Sequence, residues 1–243
     1  IIRAMDAIEG GWPDPVYAHI PMILGPDGAK MSKRHGATGV DAYRDELGML
    51  AEAVGNYLLR LGWGYGDEEF LTRERAIALF DLPGVGKSPS RFDMKKLENV
   101  NGHYIREADP AYLAGLVAER MPPLGDNEAA ERLHTLTAIM PALQPRAKTV
   151  LELVDGAAFL FTNRPIPVDE AAAKLLDSDA RALLKTAADR LSALPDWTLE
   201  GIETVIRTVA EDAGLGLGKV AQPLRAALTA RTTSPGIFDV LLH

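Results

Sequence analysis

Asp41-Ala42-Tyr43-Arg44-Asp45-Glu46-Leu47-Gly48-Met49-Leu50-Ala51-Glu52-Ala53-Val54-Gly55-Asn56-Tyr57-Leu58-Leu59-Arg60-Leu61-Gly62 is the stretch on which the fold class turns. Tyr43, Leu47, Leu50, Val54, Tyr57, Leu58 and Leu61 recur at spacings of three and four, which places them on one face of an amphipathic helix. Asp41 stands as its N-cap and Gly62 as its C-cap. The same tests predict further helices opened by Thr72, by Asp93 (closed at Gly102) and by Asp109, with Pro110 in the first position. Others open at Asp126, Thr149, Ser178, Thr198 and Ser234, the last with Pro235 following. Nearly everything after residue 40 therefore reads as helix joined by short loops, a mainly α chain of stacked helical bundles. Upstream, Val16 to Leu24 predicts one short strand, with its partner expected outside the chain, ended by the turn Gly25-Pro26-Asp27-Gly28. Ile1 to Ile8 reads as the end of a helix closed by Gly10-Gly11, so the chain is expected to start inside a larger protein.

Composition narrows the functional classes. The 243 residues are 47% hydrophobic, enough for buried cores, and contain neither a long apolar run nor a signal-peptide pattern, so a cytoplasmic protein without a membrane span is expected. There is no cysteine, and the five histidines lack partners one helical turn away, so no protein-bound metal is expected. A net charge of -8 taken alone argues against nucleic acid. Local charge differs: Lys87, Arg91, Lys95, Lys96 and Arg106 form a basic stretch, and Lys219, Arg225 and Arg231 form another near the end.

The most chemically loaded segment is His19-Ile20-Pro21-Met22-Ile23-Leu24-Gly25-Pro26-Asp27-Gly28-Ala29-Lys30-Met31-Ser32-Lys33-Arg34-His35-Gly36. It sets a strand, a turn and a cluster of basic side chains between two glycines. A basic loop that can move suits a reaction in which triphosphate charge builds up and leaves as pyrophosphate, because cations that engage only the transition state lower the barrier. On charge alone, a solvated turn is the commoner outcome.

Lys30-Met31-Ser32-Lys33-Arg34 resembles the Lys-Met-Ser-Lys-Ser signature of class I aminoacyl-tRNA synthetases. Tyr17-Ala18-His19-Ile20-Pro21, Tyr57-Leu58-Leu59-Arg60-Leu61-Gly62-Trp63, Lys87-Ser88-Pro89-Ser90-Arg91-Phe92-Asp93 and Gln222-Pro223-Leu224-Arg225-Ala226-Ala227-Leu228-Thr229 are similar, in order and spacing, to bacterial glutamyl-tRNA synthetases. The resemblance covers essentially the whole chain. It implies a carboxy-terminal half with an ATP-binding loop Lys30, Met31, Ser32, Lys33 and Arg34, in which Lys33 is the catalytic residue that stabilises the phosphates. Arg34 replaces the signature's serine and keeps a positive charge. The resemblance also implies a two-step reaction in which glutamate attacks the α-phosphorus of ATP and the glutamyl group passes to tRNA(Glu), with Mg2+ accompanying ATP in the full enzyme.

For tRNA, the resemblance implies Arg91 against the stem and Arg146, Arg225, Ser234, Pro235 and Ile237 against the anticodon. The implied organisation is an end of the nucleotide-binding domain over 1–24, as a strand-loop remnant of the class I catalytic domain. A loop and stem-contact domain over 25–108 follows, then two anticodon-binding helical subdomains over 109–167 and 168–243. A monomer is expected. No His-Ile-Gly-His-like partner motif occurs, so the 243 residues alone are expected to be inactive. The alternative is a non-catalytic tRNA-binding module or paralogue. Gly86-Lys87-Ser88 and Gly214 to Lys219 imitate a phosphate-binding loop but lack its diagnostic ends, so both read as helix-joining loops. Gly102-His103-Tyr104 reads as a helix end with a surface histidine. Trp12, Trp63 and Trp197 read as packing residues.

Overall fold

A computed structural model describes residues 16–32 and 39–243. The expected helix end at Ile1 to Gly11, Trp12, Lys33 and Arg34 lie outside the described residues. Among those described, β1 (Ile23–Leu24) is followed by α1 (Val40–Asp45), α2 (Ala51–Gly62), α3 (Arg73–Leu79), β2 (Ser90–Arg91) and α4 (Met94–Glu107). Then come α5 (Pro110–Ala118), α6 (Asp126–Leu143), a 3-10 turn (Gln144–Arg146) and α7 (Val150–Phe161). The chain ends in α8 (Glu170–Ala173), α9 (Ser178–Ser192), α10 (Leu199–Asp212), α11 (Leu217–Thr229) and α12 (Ile237–Leu242). The mainly α expectation holds. Among the described residues, no helix is long and apolar enough to cross a membrane.

The opening stretch is not one helix but two. After Asp45 the chain breaks at Gly48, whose φ of 65° is left-handed. The Gly48 carbonyl accepts from the Val150 N–H at 2.8 Å, and the Leu50 N–H donates to Asn101 Oδ1 at 2.7 Å. Distant partners thus take the backbone groups that a continuous helix would have paired internally. A Cβ at Gly48 would stand 2.9 Å from the Leu151 amide nitrogen, so only glycine fits both the angle and the space. We expect Gly48→Ala to cost about 1–3 kcal/mol, read as a lower urea midpoint. An unchanged midpoint would show that the break does not depend on this residue.

Capping chemistry places most of the other helices. Thr72, Asp93, Asp109, Thr149 and Thr198 each accept from a backbone N–H of the first turn they precede, and Pro110 occupies the first turn of α5. The caps at α6 and α9 sit one residue earlier than expected, at Gly125 and Asp177. Gly102 does not close α4, which runs on to Glu107. It is buried with residues 147 and 148 packed against it: a Cβ there would meet Lys148 Cγ at 3.4 Å and the Ala147 carbonyl at 3.6 Å, ordinary contact distances. His103 lies within that helix and stacks on Phe70, with ring centroids 3.6 Å apart. The last helix starts at Ile237 behind Gly236, not at Ser234 and Pro235, because the Ser234 hydroxyl is engaged elsewhere. The turn Gly214 to Lys219 runs into α11, an unforeseen helix that lacks a side-chain cap and contains Pro223.

β1 finds its partner inside the chain. It pairs in parallel with β2, in the register Ile23 to Ser90 and Leu24 to Arg91. Beyond this small sheet, α2 packs on α4, α5 on α6 and α7, and α10 on α9, α11 and α12. Leu97, Ile105, Leu113, Leu136, Ile139, Leu153, Ile202 and Ile206 are fully buried and belong to one core cluster that runs from Tyr43 to Val240. Trp63 is buried and donates to the Asp81 carbonyl at 3.1 Å, whereas Trp197 is half-exposed and donates to the Leu241 carbonyl at 3.0 Å.

Candidate nucleic-acid interface and nucleotide loop

Those predicted site residues that the structure describes gather in two places. At the first, β1 enters a tight turn in which the Gly28 N–H donates to the Gly25 carbonyl (3.0 Å) and the Gly25 N–H donates to the Ala29 carbonyl (2.8 Å). Asp27 Oδ1 accepts from the Ala29 N–H at 2.9 Å, an Asx-type closure. The chain returns antiparallel at Lys30, opposite Leu24, and the Met31 N–H donates to the Ile23 carbonyl at 3.0 Å. Met31 packs against the core while Lys30 and Ser32 are exposed. The near side of the basic loop is therefore anchored backbone with the Lys30 side chain exposed.

Arg91 arrives at the same place because β2 pairs with β1. The Phe92 N–H donates to the Leu24 carbonyl at 2.8 Å, and Ser90 donates through its hydroxyl to the Leu61 carbonyl. A Cβ at Gly28 would lie 3.4 Å from an Arg91 guanidinium nitrogen. Gly28 has φ of 82°, so the turn needs glycine for its angle. Arg91, Lys87 and Lys95 are exposed, and Lys96 forms an exposed 3.6 Å pair with Glu69, worth little in solution.

At the second place, Arg146, Arg225 and Ser234 meet, residues that the sequence separates widely. Arg146 donates to the Ser234 carbonyl, and Arg225 Nε donates to the Ser234 hydroxyl at 2.8 Å. That hydroxyl donates to the Pro235 carbonyl at 2.9 Å. Pro235 and Ile237 are buried, and Pro235 lines the cavity at this place. The loop is held from the other side by Arg231, whose guanidinium forms a two-point pair with the Asp155 carboxylate of α7. Thr229 donates to the Arg225 carbonyl at 2.8 Å, tying the end of α11 to the residue that grips Ser234.

A cavity of about 320 Å3 opens here, lined by residues that include Arg146, Glu152, Asp155, Arg231, Ser234 and Pro235. Its electrostatics are mixed. Burial, and then the positive charge of Arg146, push the Arg225 guanidinium below its ordinary pKa, although it stays charged at neutral pH. The hydrogen bond from Arg231 holds the Asp155 carboxyl below its usual range. A guanidinium has five N–H donors, and the Ser234 contacts of Arg146 and Arg225 each use one, so both keep donors for acceptors on an incoming ligand. Arg231 is legible in the sequence only as part of the basic stretch near the end, and its pairing with Asp155 has no signal there, since 76 residues separate the two. Among the described residues, no group of three or more His, Asp or Glu could hold a metal ion.

Comparison with known proteins divides the chain in a similar way. A family described as "tRNA synthetases class I (E and Q), catalytic domain" matches residues 4–99, and one described as "Anticodon binding domain" matches residues 112–242. Glutamate–tRNA ligase 2 of Novosphingobium aromaticivorans is 61% identical over 242 residues, covering 99% of this chain and 50% of that protein. Glutamate–tRNA ligase 1 of Erythrobacter litoralis is 60% identical, covering 100% of this chain and 49% of its own length. Among solved structures, a glutamate tRNA ligase from Elizabethkingia meningosepticum in complex with its amino acid superposes with a TM-score of 0.77 at 28% identity, over 100% of this chain and 51% of that one. The chain thus spans about half the length of the curated relatives it matches.

Proposed function

Because the chain belongs to the glutamyl-tRNA synthetase family, a branch of the class I aminoacyl-tRNA synthetases, we propose that it supplies their tRNA-binding half together with the ATP-handling loop. Its substrates are tRNA(Glu) and, within a full-length enzyme, ATP and glutamate. In this reading residues 1–24 close the nucleotide-binding domain and 25–108 carry the loop and stem contacts. Residues 109–167 and 168–243 form two anticodon-binding subdomains. The protein works in the cytoplasm as a monomer.

The loop Lys30, Met31, Ser32, Lys33 and Arg34 is the ATP-binding segment, with Lys33 as the catalytic cation. Mg2+ arrives with the ATP phosphates and offsets their charge. The observation that carries the RNA reading is the convergence of Arg146 and Arg225 on Ser234, inside the stretch matched by the anticodon-binding family. Unpaired loop bases offer the acceptors that such guanidinium donors recognise. Arg91 supplies a phosphate contact nearer the loop, where a guanidinium grips two oxygens at once.

The test uses the 243 residues alone. They should retain tRNA(Glu) over bulk tRNA at a fixed salt concentration and should give no ATP–pyrophosphate exchange. Retention of no tRNA removes the RNA reading, equal retention of all tRNAs removes its specificity for tRNA(Glu), and measurable exchange removes the division of labour.

A further inference from the structure

Between the two candidate surfaces lies a set of buried side-chain amides that neither surface uses. Asn101, on α4, is fully buried. Its Oδ1 accepts from the Leu50 N–H at 2.7 Å, and its Nδ2 donates to the Lys148 carbonyl at 2.6 Å. Gln144, only 5% exposed, donates from Nε2 to the Ile105 carbonyl (2.7 Å) and the Ala108 carbonyl (2.9 Å), satisfying acceptors that the end of α4 leaves open. Residues 147 and 148 pack against Gly102, and the Gly48 carbonyl takes the Val150 N–H. The segment 144–150 is therefore bound to α4 and to the loop before α2 by hydrogen bonds, several of them made by the buried amides of Asn101 and Gln144.

Both ends of this joint lead to candidate site residues. On one side α4 continues backward through its Asp93 cap to β2, which is bonded to β1 and so to the turn before Lys30. Tyr57 reinforces that end, accepting from the Asp93 N–H at 2.7 Å and donating to its carbonyl. On the other side Arg146 lies two residues from Gln144 and two from Lys148, and reaches Ser234. Apolar packing alone would hold these parts together without fixing their angle, because dispersion has no direction. Buried amides do have direction, and leaving one partner unpaired is expensive.

We infer that Asn101 and Gln144 are positioning residues: they set the distance and angle between the Lys30 loop with Arg91 and the Arg146–Ser234–Arg225 cluster, so that one RNA molecule meets both. This rests on the tRNA reading above. It predicts that the joint matters for a ligand that spans both places and not for one that occupies a single place, since the second contact then forms at an effective concentration set by geometry.

The variants are Asn101→Leu and Gln144→Glu, the second of the same shape but unable to donate to the two carbonyls. With each, intact tRNA(Glu) should bind about 10-fold or more weakly while an isolated anticodon stem-loop stays within about twofold of the unaltered chain. Gln144→Glu decides the matter if Asn101→Leu does not fold. Equal weakening of both ligands would show an ordinary packing defect, and unchanged binding of both would show that the amides position nothing. An arm without RNA separates this inference from the reading beneath it. The chain has no cysteine, so Glu74→Cys and Glu211→Cys, at exposed positions on α3 and α10, accept spin labels. One narrow distance distribution is expected, broadened or shifted by Gln144→Glu. An unaltered distribution overturns the joint even if tRNA binding is confirmed, and failure of the unaltered chain to bind tRNA removes the reading while leaving the distance result to judge the joint.

Discussion

Replacing Lys33 with alanine in a full-length glutamyl-tRNA synthetase that contains this chain is expected to lower ATP–pyrophosphate exchange about 10²- to 10³-fold, with tRNA affinity within about twofold. The neighbouring backbone is the basis. Lys30 is bridged to Leu24 and Met31 is bonded to Ile23, so the segment that leads to Lys33 leaves a fixed point on β1. In the proposed role, Lys33 acts on the charge that develops as the β- and γ-phosphates separate from the adenylate, so its loss should fall on the rate. The tRNA contacts proposed at Arg146, Arg225 and Ser234 belong to other elements, so binding should survive. Unchanged exchange would remove the role assigned to Lys33, and loss of tRNA binding in parallel would mean that the loop and the RNA surface are not separate.

Arg225→Ala should weaken tRNA(Glu) about 10- to 100-fold, while Arg225→Lys recovers little of the loss. Arg225 is half-buried, its burial already works against its charge, and its Nε is committed to the Ser234 hydroxyl. A charge held in that setting is oriented in advance, which is the condition under which a single arginine dominates an interface. Lysine keeps the charge but cannot donate from an Nε and from a fork at once. Equal affinity for the lysine variant would show that charge alone suffices. Equal thermal stability of all three proteins is the control that the loop at 230–236 is intact.

Local capping signals account for much of the fold that could be read in advance. Asp93, Asp109, Thr72, Thr149 and Thr198 each act within three residues of themselves, and each was legible from its neighbours. Sequence and structure part where a glycine or a polar residue answers to something distant. Gly48 reads as a tolerated helix glycine until Val150 and Asn101 are seen to take its neighbours' hydrogen bonds. Gly102 reads as a stop until the chain at Lys148 is seen against it. Ser234 and Pro235 have the form of a helix start, but Arg225 and Arg146 draw Ser234 into the site and the helix begins later. α11 escaped notice because Gly216 offers no capping side chain and Pro223 looks like a breaker.

The candidate site was legible to a different extent. Lys30 to Arg34, Arg91, Arg146, Arg225 and Ser234 stand out by resemblance, not by periodicity, and nothing in their spacing says which of them meet. Pairing of β1 with β2 brings Arg91 to the turn at Gly28, and the packing of α7 against the loop after α11 brings Asp155 to Arg231. The joint at Asn101 and Gln144 was invisible in the sequence for the same reason. Each amide is an ordinary helix or turn residue until its partners, 36 to 51 positions away, are placed.

The central claim, that this chain reads tRNA(Glu) at its anticodon end, is tested most directly by two dissociation constants at one salt concentration, for tRNA(Glu) and for the same tRNA with its anticodon replaced. Holding salt constant cancels the phosphate contribution that every tRNA shares. The replaced anticodon should bind about 10-fold or more weakly; equal constants would contradict the account.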